Sequence, residues 1–300
     1  MMQNNKKCIV IIGAEGFLGR HISELFLFHG YEIIGIDIKE PSNNIKYKHY
    51  IHKNIGDVIE NDVSFIHKVS SYILLNVGGV SRNGVAHNEP VMSAHNTVTA
   101  YINLLELLDA CPPSYLMNIS TREVNILQNN KEKLFGKQKL YSTYKYATEL
   151  ISEGYSEQWN IPLRVFRLSD IFGIGDHSSK VLHIFLKKAI LNDDIVVDNK
   201  TTQLFLTEVT EVSKSIYESG IEMRNTISFN FELIYLWDED YYFTLNELAY
   251  LSKELNENSK SQIINKQDKI LSYKVKSKIK NDHIKILNEL NEGIKFNVLN

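Results

Sequence analysis

The chain has 300 residues, of which 43% are hydrophobic and 23% are charged, the balance of an ordinary soluble globular protein. Its formal net charge of −3 excludes a global basic field of the kind that attracts nucleic acid. Two cysteines cannot build a disulfide framework, and no stretch reaches the ~18 apolar residues of a membrane span. The histidines lack metal-ligand spacing. We therefore expect a cytoplasmic protein that binds no nucleic acid, membrane or metal.

Short apolar runs alternate with helical patterns through the first half of the chain, which is typical of a parallel sheet wound on both faces. The strands are predicted at residues 8–12, 32–36, 72–77, 115–119 and 163–168. The helices between them are predicted at residues 17–29, 91–110 and 140–159. The expected fold class is α/β, a Rossmann-type doubly wound parallel sheet with a smaller C-terminal substrate-binding lobe.

A glycine-rich turn follows the first predicted strand and opens the first predicted helix. Gly13 permits a tight bend, Gly16 lets the backbone approach a pyrophosphate, and Gly19 allows the helix to pack closely on the strand. Phe17 and Leu18 lie in the first helical turn, whose backbone amides face an anion. This context favours a dinucleotide site over a purely structural turn.

Asp37 closes the second predicted strand, eighteen residues after Gly19. A carboxylate there accepts hydrogen bonds from the ribose hydroxyls and repels a 2'-phosphate, which predicts NAD rather than NADP as the cofactor. Lys39 argues weakly against that choice. Asp57 is interpreted either as an adenine contact or as the cap of a loop.

Several of these markers share the carboxyl ends of the predicted parallel strands, the edge where open α/β sheets bind ligands. Gly78 and Gly79 follow the strand at 72–77 and permit close approach of the backbone to a cofactor. Thr121 follows the strand at 115–119. The glycine turn, Asp37, Gly78 and Thr121 are therefore expected to border one site.

Tyr141 and Lys145 lie one helical turn apart on the predicted helix at 140–159. A phenol with an ordinary pKa near ~10 costs about 4 kcal/mol to use as a base at pH 7, unless a neighbouring cation stabilises the phenolate. Lys145 would supply the cation, and the hydroxyl of Thr121 would hold a substrate alcohol while its proton leaves. Because the chain has 16 tyrosines, an exposed helix pair that arose by chance is the alternative.

The pattern changes near Phe172, beyond which the predicted elements become shorter and less regular. The stretch at 253–280 is rich in Lys, Asn and Ser, and its acidic residues favour a solvated face over a phosphate site. We predict two domains: an NAD-binding Rossmann domain at 1–170, to which 203–235 return, and a substrate-binding lobe at 171–202 and 236–300.

Further motifs join this set: Asn96 within its helix, Ser120 before Thr121, Glu149 after Lys145, and Phe172-Gly173-Ile174-Gly175. With the spaced glycines and Asp37, they resemble the extended short-chain dehydrogenase/reductase family, specifically the NAD-dependent epimerases and dehydratases that act on nucleotide sugars. The similarity covers nearly the whole length. It implies that Asn96 contributes to the cofactor site.

The resemblance also implies roles for the catalytic residues. Tyr141 would be the base, Lys145 would lower its pKa and bind the nicotinamide ribose, and Thr121 would orient the reacting hydroxyl. Family members typically oxidise a sugar carbinol, usually at C4, and later return the hydride to the intermediate ketone. Turning of the sugar before that return gives an epimer, whereas loss of the C5 proton leads to elimination or decarboxylation.

Departures from the family pattern concern the substrate pocket. Glu123 is interpreted either as a catalytic residue near C5 or as a salt-bridge partner in a loop. Arg122 stands where some dehydratases have an aspartic acid, and a guanidinium does not donate a proton at neutral pH. Asp170 replaces the asparagine that usually meets the substrate, and Arg82 is a candidate guanidinium for the diphosphate. The catalytic core looks intact, and the pocket looks remodelled.

Our leading hypothesis is an NAD-dependent enzyme that transiently oxidises a nucleotide-linked sugar, most simply an epimerase. The alternatives are an NAD(P)H-dependent reductase of a keto-sugar or other carbonyl, and a catalytically silent dinucleotide-sensing protein. In the family, the helices at 91–110 and 140–159 pair with those of a second copy, so a homodimer is expected; a monomer is the alternative.

Overall fold

The computed structural model describes residues 7–81, 83–129, 136–176, 180–198, 202–257, 259–265 and 281–299. The chain divides into two compact units. Unit 1 comprises Met1–Leu168 and Thr210–Leu236, and unit 2 comprises Ser169–Val209 and Trp237–Asn300. In the described ranges, no helix is both long enough and apolar enough to cross a membrane.

The secondary structure follows the alternation of the sequence in the first half and is more irregular beyond it. The strands are β1 (Cys8–Ile12), β2 (Glu32–Asp37), β3 (Tyr47–His52), β4 (Tyr72–Asn76), β5 (Tyr115–Thr121), β6 (Leu163–Leu168), β7 (Asp170–Phe172), β8 (Ile195–Val197), β9 (Gln203–Leu204), β10 (Leu206–Glu208), β11 (Phe231–Leu236), β12 (Phe243–Thr244) and β13 (Ile263–Asn265). The α-helices are α1 (Phe17–Phe28), α2 (Glu60–Val63), α3 (Asn83–Asn88), α4 (Pro90–Ala94), α5 (Ala100–Leu108), α6 (Glu123–Asn129), α7 (Lys139–Trp159), α8 (Val181–Leu191), α9 (Val209–Glu222), α10 (Leu245–Glu254) and α11 (Asn281–Leu299).

Unit 1 is built on a seven-stranded sheet in the order β11-β6-β5-β4-β1-β2-β3. Every neighbouring pair in it is parallel, which confirms the predicted α/β fold class. All five residues of β1 are buried, as are those of β4, because helices cover both faces of such a sheet. These strands therefore read as continuous apolar runs, and all five predicted strands are present.

The edge strands β3 and β11 were absent from the sequence prediction. Both lie at the ends of the sheet order and keep several residues partly or fully exposed. In β3, charged and imidazole side chains interrupt the apolar pattern, because an edge strand pairs with only one neighbouring strand and is less buried than a central strand. Tyr235 of β11 is likewise 49% exposed. The sequence of β11, however, is apolar at five of its six positions, so exposure does not explain why it was missed.

The helix predicted at 91–110 consists of three segments. A π-helical turn at His95–Thr99 separates α4 from α5, and α5 ends at Leu108 before the two prolines at 112 and 113. The turn is held by Thr97, whose Oγ1 accepts a hydrogen bond from the Val80 amide at 3.0 Å. Single π-helical turns occur inside α-helices where tertiary contacts displace the register, often at functional sites.

In its described residues, unit 2 combines short strand pairs with the helices α8, α10 and α11 around its own apolar core. β7 pairs with β10 and β8 with β13 in parallel, and β9 pairs with β12 in antiparallel fashion. The core contains Phe172, Phe185, Leu248 and Leu287, from β7, α8, α10 and α11. Residues 203–209, which the sequence analysis grouped with the first domain, lie in unit 2 because β9 and β10 pair with strands there.

Candidate active site

The glycine turn between β1 and α1 has a backbone that side chains would block. Gly13 has φ +78°, and its amide donates to the Ile36 carbonyl at 2.8 Å, which ties the turn to β2. A Cβ on Gly19 would lie 2.0 Å from the carbonyl oxygen of Gly13, so no side chain fits where α1 packs on the turn.

Gly16 has a different reason to lack a side chain. It is the N-cap of α1 with φ −68°, a conformation open to any residue, and a Cβ there would meet only the Gly13 carbonyl, at 3.1 Å. The space beyond it is open, which suits close approach of a pyrophosphate. The first turn of α1, with Phe17 and Leu18, presents the helix N-terminus to that space, where the helix dipole favours an anion.

Asp37 lies at the carboxyl end of β2 and is fixed by backbone donors. Its Oδ2 accepts from the Glu15 amide at 2.9 Å, and its Oδ1 accepts from the Lys39 amide at 3.0 Å. A carboxylate has about four lone-pair sites, so two remain for the two hydroxyls of a ribose. This geometry fits the adenosine ribose of NAD.

Glu15 was not singled out from the sequence, although it lies inside the glycine turn. Its side chain is 3% exposed, and its Oε1 accepts from the amide and hydroxyl of Ser42, at 2.9 and 3.0 Å, and from the Tyr47 hydroxyl at 2.7 Å. Burial, and then the hydrogen bond to Glu15, raise the pKa of Tyr47. A charged residue between two motif glycines was the available signal.

Gly78 and Gly79 follow β4, and a hydrogen-bonded line of buried amides supports them. The Gly78 amide donates to Asn76 Oδ1 at 3.1 Å, and Asn76 Nδ2 donates to Asn118 Oδ1 at 2.9 Å. Asn118 Nδ2 continues the line to Thr148 Oγ1 of α7 at 3.3 Å. Asparagine is depleted in strands, so its presence at the same depth of β4 and β5 was a signal that the sequence analysis did not use.

Asn96 and the segment of Asp57 are linked through Asn54. The Asn54 side chain donates to Asn96 Oδ1 at 3.2 Å, and its own Oδ1 caps the 3-10 turn Ile55–Asp57 by accepting from the Gly56 amide at 3.1 Å. Asp57 itself is exposed at the end of that turn. The structure thus connects these two predicted cofactor residues by one intervening side chain.

Lys145 is the most constrained of the predicted catalytic residues. It is 5% exposed, and its Nζ donates to the carbonyl oxygens of Gly78 and Ile119, at 3.2 and 3.3 Å. Burial lowers the pKa of Lys145 to about 8, and the nearby Glu149 carboxylate opposes that shift. Tyr141 is half-buried one turn earlier on the same helix, α7. The ammonium is thereby held between the ends of β4 and β5.

Thr121 ends β5 and organises the start of α6. Its Oγ1 accepts a hydrogen bond from the Glu123 amide at 3.3 Å, which leaves the hydroxyl proton available to another acceptor. Glu123 is the first residue of α6, a position where a carboxylate is favoured by the helix dipole. Thr121 and Glu123 therefore belong to one turn at the carboxyl edge of the sheet.

A buried ion pair that the sequence analysis did not predict fixes α7 against this edge. Arg167 of β6 contacts Glu149 through Nε and Nη2, at 3.0 and 2.7 Å, and both side chains are almost fully buried. Ser120 also donates to the Glu149 carboxylate, and Arg167 Nη1 reaches Asn125 and Gln128 of α6. One guanidinium thus holds β6, α6 and α7 together.

Unit 1 contains most of the predicted site residues, at the carboxyl ends of β1, β2, β4 and β5 and on α7. Asp170 lies in unit 2, where it begins β7 and lines a small cleft with Asp176 and Lys180. Arg82 lies outside the described residues. The glycine turn and Asp37 fit NAD, because they combine a helix N-terminus, open space at Gly16 and a carboxylate with free acceptor sites.

Comparison with known proteins relates this geometry to a family. A model of the NAD dependent epimerase/dehydratase family matches residues 9–205. The chain is 21% identical over 214 residues to UDP-glucuronate 4-epimerase 4 of Arabidopsis thaliana, and 22% identical over 206 residues to Protein CapI of Staphylococcus aureus. These matches cover 65% and 63% of the chain, but 48% and 61% of the two relatives. The chain therefore spans about half to three fifths of the length of these relatives.

Solved structures share the fold across nearly the whole chain. The UDP-glucose 4-epimerase of Thermotoga maritima, crystallised with UDP-glucose, has a TM-score of 0.76 at 16% identity, covering 97% of this chain and 99% of that one. The UDP-glucose 4-epimerase of Thermus thermophilus, in complex with NAD, has a TM-score of 0.72 at 15% identity, covering 95% and 99%. At these identities the likeness establishes the fold.

Proposed function

The chain belongs to the NAD-dependent epimerase/dehydratase family, and from this premise we propose that it transiently oxidises a hydroxyl of a nucleotide-linked sugar and returns the hydride to the opposite face. The cofactor is NAD. The observation that carries the proposal is the placement of Lys145, whose buried ammonium is held between the ends of β4 and β5, one helical turn from Tyr141.

Tyr141 acts as the base in this proposal. Its phenolate removes the proton of the sugar hydroxyl, and the Lys145 ammonium stabilises the negative charge on the phenol oxygen. The Thr121 hydroxyl accepts a hydrogen bond from the Glu123 amide, so its own proton is left to donate a hydrogen bond to the reacting oxygen. Bound NAD supplies a hydride acceptor for the carbinol carbon. Tyr141 would return its proton to the sugar oxygen when the ketone is reduced again.

Residues that hold the dinucleotide follow from the same geometry. The amides of the first α1 turn and the open face of Gly16 would receive the pyrophosphate, and Asp37 would accept the adenosine ribose hydroxyls. Asn96, Asp57, Gly78 and Gly79 remain proposed cofactor contacts. Lys145 has spare donor capacity for the second ribose, since two carbonyls use two of its three N–H groups.

The proposed substrate class is a UDP-sugar oxidised at C4. Support comes from the UDP-sugar 4-epimerases among the relatives and from the UDP-glucose bound in one of the similar structures. Arg82 and Asp170 are the proposed substrate contacts of this chain.

Elimination or decarboxylation is the second candidate outcome, and Glu123 is the residue that favours it. Glu123 is the first residue of α6, and its amide donates to Thr121 Oγ1. Glu123 therefore lies directly beside the residue proposed to orient the reacting hydroxyl. A carboxylate in that place suits removal of an acidified proton next to the transient ketone. The product, rather than the fold, distinguishes the two outcomes.

The decisive experiment incubates the purified protein with a panel of UDP-sugars and other nucleotide sugars, and follows products by NMR and mass spectrometry. A product of unchanged mass with inverted stereochemistry supports epimerisation, whereas loss of water or carbon dioxide supports the role of Glu123. We expect Tyr141→Phe to lower kcat at least about 100-fold. Tyr146→Phe, which alters a half-buried tyrosine of the same helix, is the control and should leave kcat within about twofold. Equal activity of Tyr141→Phe and wild type would refute the catalytic assignment.

We also propose that α4 and α7 form the interface of a homodimer. Val91 and Met92 of α4 are 83% and 57% exposed, and Leu150 of α7 is 50% exposed. The Tyr144 hydroxyl donates to the Pro90 carbonyl at 3.1 Å, so the two helices are in contact. Val91→Asp should halve the mass measured by sedimentation, whereas Ile227→Asp, at another exposed apolar residue, should not. A wild-type monomer would contradict this proposal.

A further inference from the structure

Glu15 is an unusual residue to find buried beside a site for an anionic cofactor. Its carboxylate is 3% exposed, and its three hydrogen bonds come from neutral donors, namely two groups of Ser42 and the Tyr47 hydroxyl. Across the described ranges, the Glu15 carboxylate has no Lys, Arg or His nitrogen within ion-pair distance. Its negative charge is therefore stabilised by dipoles but is not neutralised.

This charge lies close to Asp37, the residue that faces the adenosine ribose. The Glu15 amide donates to Asp37 Oδ2 at 2.9 Å, so the two residues are joined directly. Both carboxylates affect the pKa of Tyr50, which is raised by burial first and then by the negative charges of Asp37, Glu15 and Glu40. Two carboxylates therefore lie at this end of the site: Asp37, which has free acceptor sites, and the buried Glu15.

We propose that Glu15 is a second determinant of cofactor choice, which acts with Asp37 to exclude dinucleotides that carry a 2'-phosphate. Such a phosphate brings a charge of about −1.5 to −2 at pH 7. Because Glu15 is buried, mobile ions screen its field less than they screen the field of a surface carboxylate. The proposal concerns dinucleotide binding alone and does not depend on the sugar chemistry proposed above.

The position of Lys39 strengthens this inference. A lysine two residues after Asp37 is well placed to attract a 2'-phosphate, but its Nζ donates to the Glu15 backbone carbonyl at 3.2 Å. The Lys39 carbonyl in turn accepts a hydrogen bond from the Tyr50 hydroxyl. Lys39 is therefore held by the turn that carries Glu15. Glu15 thus donates its amide to Asp37 and accepts from Lys39 through its carbonyl, and its carboxylate adds negative charge to the local electrostatic field.

The first test measures binding of NAD+ and NADP+ to the purified protein by titration calorimetry, after removal of any copurified dinucleotide. Glu15→Gln retains an acceptor for Ser42 and Tyr47 and removes the charge. We expect the ratio of the NADP+ Kd to the NAD+ Kd to fall about tenfold, while the Kd of NAD+ changes less than about threefold. Glu40→Gln is the matched control, because it removes an 80% exposed carboxylate from the loop that follows Asp37 and should change the ratio less than about twofold. An unchanged ratio in Glu15→Gln overturns the proposal.

The second test does not require the Glu15 variant to fold. If Glu15 discriminates by itself, Asp37→Asn must still bind NAD+ more than about tenfold more tightly than NADP+, because the buried charge remains. Equal affinity of Asp37→Asn for the two dinucleotides assigns the whole preference to Asp37 and overturns the proposal. Equal affinity of the wild-type protein for both dinucleotides overturns it as well.

Discussion

The glycine turn after β1 and the helix α7 reach the same edge of the sheet by different physical means. The turn depends on backbone shape: Gly19 has no room for a Cβ, and Gly13 has a positive φ. The helix depends on buried side chains, since Lys145 and Glu149 are held by carbonyls and by Arg167. A change in the turn should therefore act through sterics, and a change around α7 should act through charge and respond to pH.

The largest effect is expected where a buried charge loses its partner. Arg167→Met leaves the Glu149 carboxylate buried without its ion-pair partner, and we expect the free energy of unfolding to fall by about 4 kcal/mol in urea denaturation. The double variant Arg167→Met/Glu149→Met should recover most of that loss, because the unpaired Glu149 carboxylate is then absent.

A second buried arginine on the same strand provides the control for this prediction. Arg164 also lies in β6, but its ion-pair partners Glu222 and Glu232 have side chains that are 71% and 41% exposed. Water can solvate them after Arg164→Met, so the loss should be roughly half that of Arg167→Met. Equal losses of stability in Arg167→Met and Arg164→Met would contradict the argument that burial of Glu149 makes the first loss larger.

Gly19→Ala tests the steric half of the comparison. A Cβ placed 2.0 Å from the Gly13 carbonyl forces the turn to move, so we expect a loss of about 3 kcal/mol in stability and at least about 100-fold weaker NAD binding. Gly154→Ala, on α7 with no atom within 4 Å of the new Cβ, should instead stabilise the protein by about 0.5–1 kcal/mol. Titration calorimetry measures NAD binding, and urea denaturation measures the stability of the two variants. Unaltered NAD binding in Gly19→Ala would show that the turn tolerates a side chain.

Lys145→Met should show its effect as a dependence of stability on pH. The folded-state pKa of Lys145 is about 8, below the 10.5 of the ordinary lysine, so the folded protein binds fewer protons than the unfolded chain between these values. Wild-type stability should therefore rise relative to Lys145→Met from pH 8 to 10.5, by up to about 3 kcal/mol, and the difference should be constant below pH 7. Parallel stability profiles for the two proteins across this range would contradict the lowered pKa.

Sequence reasoning succeeded where structure is set locally. β1 and β4 are continuous apolar runs because both faces of the sheet are covered, and the glycine spacing encodes a backbone shape within seven residues. It failed for the edge strand β3, where polar side chains interrupt the apolar run, and for the edge strand β11, although that strand is apolar at five of its six positions. The helix at 91–110 was predicted as continuous because nothing local marks the π-helical turn, which rests on the contact between Thr97 and Val80.

The side-chain networks of the site were harder to foresee. Glu15 and Tyr47 are 32 positions apart, Asn76 and Asn118 are 42 apart, and Glu149 and Arg167 are 18 apart. Nothing in the sequence pairs one polar residue with another over such separations, since the pairing follows from how strands and helices are assembled. Lys145 was predicted as a cation, but its burial and its two carbonyl acceptors depend on that assembly as well.

The paired asparagines of β4 and β5 have a consequence for how the sheet forms. Asn76 and Asn118 are direct partners in the parallel register, and their amides bond to each other in the sheet interior. A slip of one residue would place each amide opposite an apolar neighbour and turn it to the other face, leaving buried polar groups unpaired. The asparagine pair therefore disfavours misaligned strands during folding. By fixing the register of β4 and β5, it also fixes where Gly78 and Thr121 lie at the carboxyl edge of the sheet.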